Sequence, residues 1–503
     1  VNLNVGRNVS KLRGLPILAA ALFCSVALAS GQASHAHNAK PAKKAATTHK
    51  PAASRRKSAR RRATGPLAVY RTGHGNHGMG TIKAPPRYVE PLPPSVAEPP
   101  EVEPATEGKA AIENRAQLGP FFSHLAPLDH AGEQVDTVRV MQFGDSHTAA
   151  DMFTGRMRSL FQLRFGNGGA GFSYAGHPFA GYRILGTSRS QSSGWIAEGV
   201  HFTKIVNTEL GLGGVANTSS SAGDSVSLDA PCTQMQLLYL DQPNGGAFSL
   251  FEDGSLLTRV STENAQAPET LREDCTAGVT HHFEVVADSH SPVRLFGFVT
   301  LQPGVTYEAL GLNGAEASLI LRWDQPIFTG YLRQSDPALI VLAYGTNEAG
   351  NSNWSYEAYS NLMARLIDSL HATVPGASIL VIGPPDRSTF VGVPGRGRRR
   401  RSGSWTPFRE TLHITQAQRD VCRTHGCAFW SWRDRMGGLG SINRWVSDGL
   451  AQPDHTHFTS AGYVRLADFL YSDMIAAYDA WKAEPREPAG EPASPLTTPH
   501  PPQ

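Results

Sequence analysis

The chain has 503 residues, 40% of them hydrophobic, which suffices for a sizeable core and for more than one globular unit. Its formal charge is +3, but ten cations between Ser34 and Gly65 and three before them stand among no acids, leaving about −10 for everything after Gly65. Basicity is therefore not spread over the globular part, and this argues against a nucleic-acid role.

In chain order, Arg7, Lys11 and Arg13 precede a short apolar segment, Leu15 to Ala29. This is the pattern of a secretory signal, too short and wrongly flanked for a membrane span, with cleavage expected near Ala29 or Ala33 and an uncleaved anchor as the alternative. Cys24 follows bulky Phe23, which does not suit a lipoprotein site. Export to a periplasmic or cell-envelope compartment is the expectation. Residues 34–110, rich in Ala, Pro, Lys, Arg and then Glu, lack apolar periodicity and are expected to be a disordered linker. The linker is either a plain solvated tether or a peripheral contact to an anionic wall polymer or membrane surface.

Globular sequence begins near residue 111, where Phe121, Phe122 and Leu125 open a core. Val138, Val140, Met141 and Phe143 predict a buried strand that breaks at Gly144-Asp145-Ser146, and Met152 to Phe165 has helical spacing. A strand, tight turn and helix would present Ser146 at the carboxyl edge of a parallel sheet. A serine hydroxyl becomes a useful nucleophile only beside a base, so the motif requires a histidine and an acid elsewhere. The glycines of Gly166 to Gly171 follow a helix instead of opening one; they read as a turn, with the mouth of a site as the alternative.

Residues 185–301 change character to short alternating runs, among them Gln234 to Leu240, Phe248 to Phe251, His282 to Val286 and Val293 to Leu301, with turn signals between. This spacing predicts an inserted β-sandwich. Trp195, Phe202 and Tyr239 are either sugar-stacking or core residues, the core being the favoured reading. With Cys24 set aside, the cysteines fall into two local pairs, predicting Cys232–Cys275 and Cys422–Cys427 disulfides. No histidine cluster near them has zinc spacing, and His281-His282 reads as surface or core.

Beyond the insert, Thr306 to Gly311 reads as a strand ending in a glycine loop at Gly314, and Ala338 to Tyr344 as a strand breaking into Gly345-Thr346-Asn347-Glu348. A bare backbone N–H and an amide side chain are what an oxyanion hole requires. A helix from Tyr356 to His371 leads to a strand, Ser378 to Gly383, with Asp386 at a site rim or in a turn. The arginine-rich stretch Gly395 to Arg401 reads as an exposed loop, Thr415 to His425 as a helix and Cys427 to Trp432 as a strand. Asp454 and His457 stand in an Asp-x-x-His loop before a helix from Tyr463 to Trp481. An acid three residues before a histidine can hold one ring nitrogen while the other faces the serine; His455 and His147 are the rival bases.

Taken together, Gly-Asp-Ser146, Leu-Asn-Gly314-Ala, Gly-Thr-Asn347 and Asp454-x-x-His457 resemble, in order, the four motif blocks of the SGNH, or GDSL-like, hydrolase family. The resemblance covers roughly residues 136 to 480 and departs from the common pattern at His147, where leucine is usual, and at Glu348, where aspartate is frequent. It implies an α/β fold, a three-layer α/β/α flavodoxin-like parallel sheet carrying the inserted β-sandwich. It also implies catalytic Ser146, Asp454 and His457, an oxyanion hole from the amides of Ser146 and Gly314 with the Asn347 side chain, and no metal or cofactor. The form Gly-Asp-Ser-His-Thr-Ala-Ala-Asp151, with a long insertion after it, is most similar to the peptidoglycan O-acetylesterase branch, whose insert is carbohydrate-binding-like.

The expected order of units is a signal peptide to residue 33, the linker to 110, a hydrolase domain over 111–184 and 302–481 split by the insert, and a disordered tail from 482 to 503. The expected partner is an acetylated glycan. Alternatives are an esterase or acetyltransferase for another polysaccharide, or a non-catalytic wall-binding protein.

Overall fold

A computed structural model of the chain describes residues 111–129, 136–199, 208–351, 354–393 and 402–485. The signal pattern, the linker, Phe202, the arginine-rich stretch and most of the tail lie outside the described residues. No helix among those described is long and apolar enough to cross a membrane.

Strands Gly304–Gly311, Thr137–Gly144, Leu339–Ala343, Ser378–Gly383 and Ala428–Ser431 lie side by side in that order, all parallel, with the short Ile112–Glu113 antiparallel at the edge. Numbered along the chain the parallel strands run 2-1-3-4-5, the flavodoxin-like order, whose ligand position is the switch between strands 1 and 3. The strands alternate across the sheet, as a period of two requires. Val138, Val140, Val341 and Leu380 face one core with helices Met152–Phe165 and Ser460–Ala483, while Met141, Phe143, Ile340 and Ile379 face a second with Gln325–Ser335 and Tyr356–Thr373. Burial on both faces is why these strands read as continuous apolar runs. The final helix continues to Ala483, past the expected start of the tail.

Two antiparallel sheets form the β module. One orders Ser255–Ser261, Ala247–Glu252, Thr280–Ala287, Ser225–Pro231 and Ser188–Gln191; the other orders Ala267–Asp274, Gln234–Asp241, Val293–Leu301, Ala216–Ser219 and Ile196–Glu198, with Gly171–Ser173 also on Val293–Leu301. Val226, Leu228, Leu237, Phe248, Phe283 and Leu295 fill the space between them. Trp195 and Tyr239 belong to this core, so neither presents a stacking face to a sugar. His281 is buried, and the ring of its neighbour His282 reaches Asp229.

Cys232 is bonded to Cys275 and Cys422 to Cys427. The chain leaves the sandwich at Leu301 and starts the second parallel strand at Gly304, so the module's last strand runs straight into the central sheet. The glycine loop after Phe165 lies at that point: Gly168 N donates to Val305 O at 3.1 Å and Val305 N to Gly166 O at 3.0 Å. It packs at the amino end of the strand and does not line the edge where Ser146 stands.

Two buried ion pairs secure the first strands. Arg139 meets Glu308 through Nε at 2.7 Å and Nη2 at 2.9 Å, and Arg158 Nη2 meets Asp151 Oδ2 at 2.5 Å. Asp151 also accepts from Leu185 N at 2.6 Å and Thr154 Oγ1 at 2.6 Å, so the last residue of the Gly-Asp-Ser-His-Thr-Ala-Ala-Asp run is a structural anchor.

Candidate active site

Strand Thr137–Gly144 gives way at once to the short helix Ser146–Ala149. The turn needs glycine: a Cβ at Gly144 would stand 2.2 Å from Thr148 Oγ1 and 2.8 Å from Ala343 O. Asp145 caps the helix, its Oδ1 accepting from His147 N at 2.9 Å. Ser146 thus begins a helix at the carboxyl edge, and its Oγ lies 3.0 Å from His457 Nε2.

His457 is carried by the loop between helices Ser441–Ser447 and Ser460–Ala483. Asp454 organises that loop with both oxygens: Oδ1 accepts from Thr456 N and His457 N at 3.0 Å each, and Oδ2 lies 2.7 Å from His457 Nδ1. A carboxylate can only accept, so Nδ1 carries the proton and Nε2 presents a lone pair to the serine. Partial burial alone would raise the Asp454 pKa, but the hydrogen bonds from His457 and Thr456 hold it well below the usual carboxylate range. The same side-chain bond raises the His457 pKa against the opposing effect of burial.

The second and third blocks flank the serine. Gly314 holds φ at +75°, a conformation that favours glycine, and its loop is tied to the nucleophile turn by Leu312 N donating to Gly144 O at 3.0 Å. Asn347 Nδ2 donates to Ala315 O at 2.9 Å and, at a longer 3.4 Å, to Asp145 Oδ2. Asn347 therefore sits between the residue before Ser146 and the residue after Gly314. The amides of Ser146 and Gly314 have no hydrogen-bond partner among the described residues.

Glu348 joins these loops: Oε1 accepts from Ala317 N at 2.8 Å and Oε2 from Gly345 N at 2.9 Å, while burial pushes its pKa up to about 8. Burial likewise raises Asp145 to about 6, against the donors His147 and Thr346.

The rival histidines have other employment. His455 Nδ1 lies 2.7 Å from Asn443 Oδ1 and its ring stacks on Trp405 at 3.7 Å. His147 is buried beneath His457, ring centroids 5.3 Å apart, and its Nδ1 lies 2.8 Å from Tyr463 Oη. Burial, helped by the charge of His457, pushes the His147 pKa down to about 3, so it is neutral and cannot accept a proton in the working range. Asp386 is not at a rim: it is fully buried, and its Oδ2 accepts from Ile442 N at 2.9 Å.

Three neighbours of the site escape a reading of motifs alone: Tyr463, Trp432 against the His147 ring, and Arg387, whose Nη1 donates to Thr346 O at 2.7 Å. Tyr463 and Trp432 approach through packing of distant elements, which no local spacing announces. Arg387 had one signal, a cation four residues past a strand that ends at the ligand edge.

Residues 276–465 match the model of the GDSL-like Lipase/Acylhydrolase family, a span that holds Gly314, Asn347, Asp454 and His457 but not Ser146. With the 2-1-3-4-5 sheet and the blocks at its carboxyl edge, the α/β part of this chain is similar to the GDSL-like, or SGNH, hydrolases in both fold and motif order. Among solved structures, the chain is similar to a peptidoglycan O-acetylesterase at 27% identity and a TM-score of 0.60, over 74% of this chain and 100% of that one. A family two carbohydrate esterase from Cellvibrio japonicus matches at 12% identity over 59% of this chain and 99% of that one; its TM-score of 0.26 supports no comparison of detail. No curated protein matches the chain.

Proposed function

We propose that this protein is an exported serine esterase that removes O-acetyl groups from a cell-wall polysaccharide, namely peptidoglycan acetylated at the C-6 hydroxyl of N-acetylmuramic acid. The single observation carrying the chemistry is the unbroken chain Asp454 to His457 to Ser146, with spacings of 2.7 and 3.0 Å. The glycan assignment is supported by the similarity to a peptidoglycan O-acetylesterase over its whole length, and export by two disulfides.

His457 Nε2 accepts the Ser146 proton as Oγ bonds to the acetyl carbonyl carbon, and the carbonyl electron pair moves onto oxygen. The Ser146 and Gly314 amides and Asn347 Nδ2 stabilise that oxyanion, Asn347 turning its weakly held hydrogen away from Asp145. The tetrahedral centre collapses, the C–O bond to the sugar breaks, and the sugar oxygen takes the proton from His457. Water then attacks acetyl-Ser146 with His457 again as base, releasing acetate and restoring the serine.

The test is acetate release from O-acetylated peptidoglycan and from acetylated xylan, by the wild type and by Ser146→Ala. Release from peptidoglycan that exceeds release from xylan and vanishes in Ser146→Ala is the expected result. Equal or faster release from xylan would overturn the wall-specific reading, and release that survives Ser146→Ala would overturn the mechanism.

A further inference from the structure

Arg387 follows the strand Ser378–Gly383 at the sheet's ligand edge, and the backbone around it is fixed. Phe408 N donates to Arg387 O at 2.9 Å, and Ser388 N donates to His455 O, in the His457 loop, at 3.1 Å. The guanidinium lies over the Phe408 ring, its carbon 4.6 Å from the centroid, and Nη1 donates to Thr346 O, the residue before Asn347, at 2.7 Å. The cation is thereby held between the third and fourth blocks of the site.

What it lacks is a counter-charge. The buried arginines Arg139, Arg158 and Arg294 each end on a carboxylate, Glu308, Asp151 and Glu198. Arg387 has no carboxylate in ion-pair contact among the described residues, its Nε is buried without a partner, and Nη2 has none either. The acids whose charge reaches it are committed: Asp454 to His457, and Asp145 to the His147 amide. Burial opposes its charge. A half-buried guanidinium that has no counter-charge and a buried, unpartnered Nε is costly, and a ligand carboxylate would supply the missing anion. Planar carboxylate is the group that a guanidinium edge matches best.

We propose that Arg387 is a specificity-determining residue that binds a carboxylate carried by the acetylated glycan, an inference that rests on reading the site as a glycan O-acetylesterase. The carboxylate has two chemical sources, the lactyl group of a muramoyl residue freed of its stem peptide and the carboxyl of a uronate.

Three substrates separate these sources: peptide-stripped O-acetylated peptidoglycan strands, an acetylated glucuronan and neutral acetylated xylan. In Arg387→Gln, kcat/KM on the carboxylate-bearing substrate falls roughly 10- to 100-fold relative to xylan, chiefly through KM, with Arg387→Lys intermediate. The arm that shows the larger fall names the source. A ratio to xylan that stays unchanged in both arms overturns the inference while leaving the esterase reading intact. Acetate release from none of the three by the wild type overturns that reading and the inference with it.

A second measurement needs no variant. N-acetylmuramic acid and galacturonic acid, each against its methyl ester, compete with p-nitrophenyl acetate on the wild-type protein. At least one acid is expected to inhibit about tenfold more strongly than its ester, and equal inhibition within both pairs counts against the inference.

Discussion

Tyr463 Oη stands 2.8 Å from His147 Nδ1, a hydrogen bond between the first turn of the last helix and the residue after the candidate nucleophile. Because His457 lies just before that helix, the pair fastens the base loop to the serine turn without using either reacting atom. His147 packs against Trp432, His457 and Phe458, so leucine's usual place in the motif is filled here by a ring that both packs and bonds. His147→Leu leaves the Tyr463 hydroxyl buried without this partner, and Tyr463→Phe does the same to Nδ1. Each is expected to lower unfolding free energy by about 1–3 kcal/mol. The double variant should cost little more than either single one, since the second change removes an already unpaired group. Denaturant melts of the four proteins measure this, and fully additive losses would contradict the coupling.

Asn347 has a separable role. Its firm hydrogen bond is to Ala315 O at 2.9 Å, and its weaker one to Asp145 Oδ2 at 3.4 Å is the one free to turn to an oxyanion. Asn347→Ala is expected to reduce kcat on an acetyl ester by roughly a hundred- to a thousandfold. The protein should still fold cooperatively. A loss below fivefold in well-folded protein would remove Asn347 from the oxyanion hole.

The pH dependence follows from the raised pKa of His457. The base must be unprotonated, so kcat/KM should fall on the acid side through a pKa above the ordinary histidine value, and Asp454→Asn should move that limb to lower pH while lowering the plateau. Stability runs the opposite way. A histidine with a raised folded-state pKa contributes fully below its ordinary value and loses that contribution as pH rises through the raised one. With the side chain 43% exposed, solvent screens the pair and the stability effect is small. Rate profiles are the sensitive measurement, and an acid limb unmoved by Asp454→Asn would contradict the assignment.

Much of this arrangement was legible because the sheet is parallel and buried on both faces. Leu339 to Ala343 and Ser378 to Gly383 are uninterrupted apolar runs, and each ends where glycine breaks the pattern. The positions of Ser146 and Asn347 followed from such breaks after Thr137–Gly144 and Leu339–Ala343, and that of His457 from the Asp-x-x-His spacing ahead of a helix. Helix Gln325–Ser335 was missed because the apolar stretch before it, Leu319 to Trp323, reads as the approach to a strand. The hairpin of Ser388–Val393 and Ser402–Pro407 was missed although Thr389, Phe390, Val391 and Val393 favour a strand, because the arginine-rich stretch between its two strands reads as one exposed loop; its Trp405 stacks on His455. His147 could be read only as a departure from leucine. Its partner lies 316 residues away, a separation that no spacing rule spans.

The register that brings the serine and glycine loops together depends on a buried charge. Strands Thr137–Gly144 and Gly304–Gly311 pair residue for residue, and Arg139 and Glu308 project from them into one bidentate contact. Glu308 Oε1 also accepts from Thr306 Oγ1 at 3.0 Å and Oε2 from Phe172 N at 3.1 Å, so its carboxylate binds the parallel sheet to the strand that pairs with the β module. Glu308→Ala removes these bonds and strands a guanidinium that is itself almost fully buried, which is expected to cost about 3–5 kcal/mol. Replacing both partners, Arg139→Met with Glu308→Leu, removes the stranded charge but not the unmet Phe172 amide, so it should recover part of that loss. Urea unfolding of the two variants checks the order. If the double variant proved less stable than Glu308→Ala, the stranded guanidinium would not be the source of the cost.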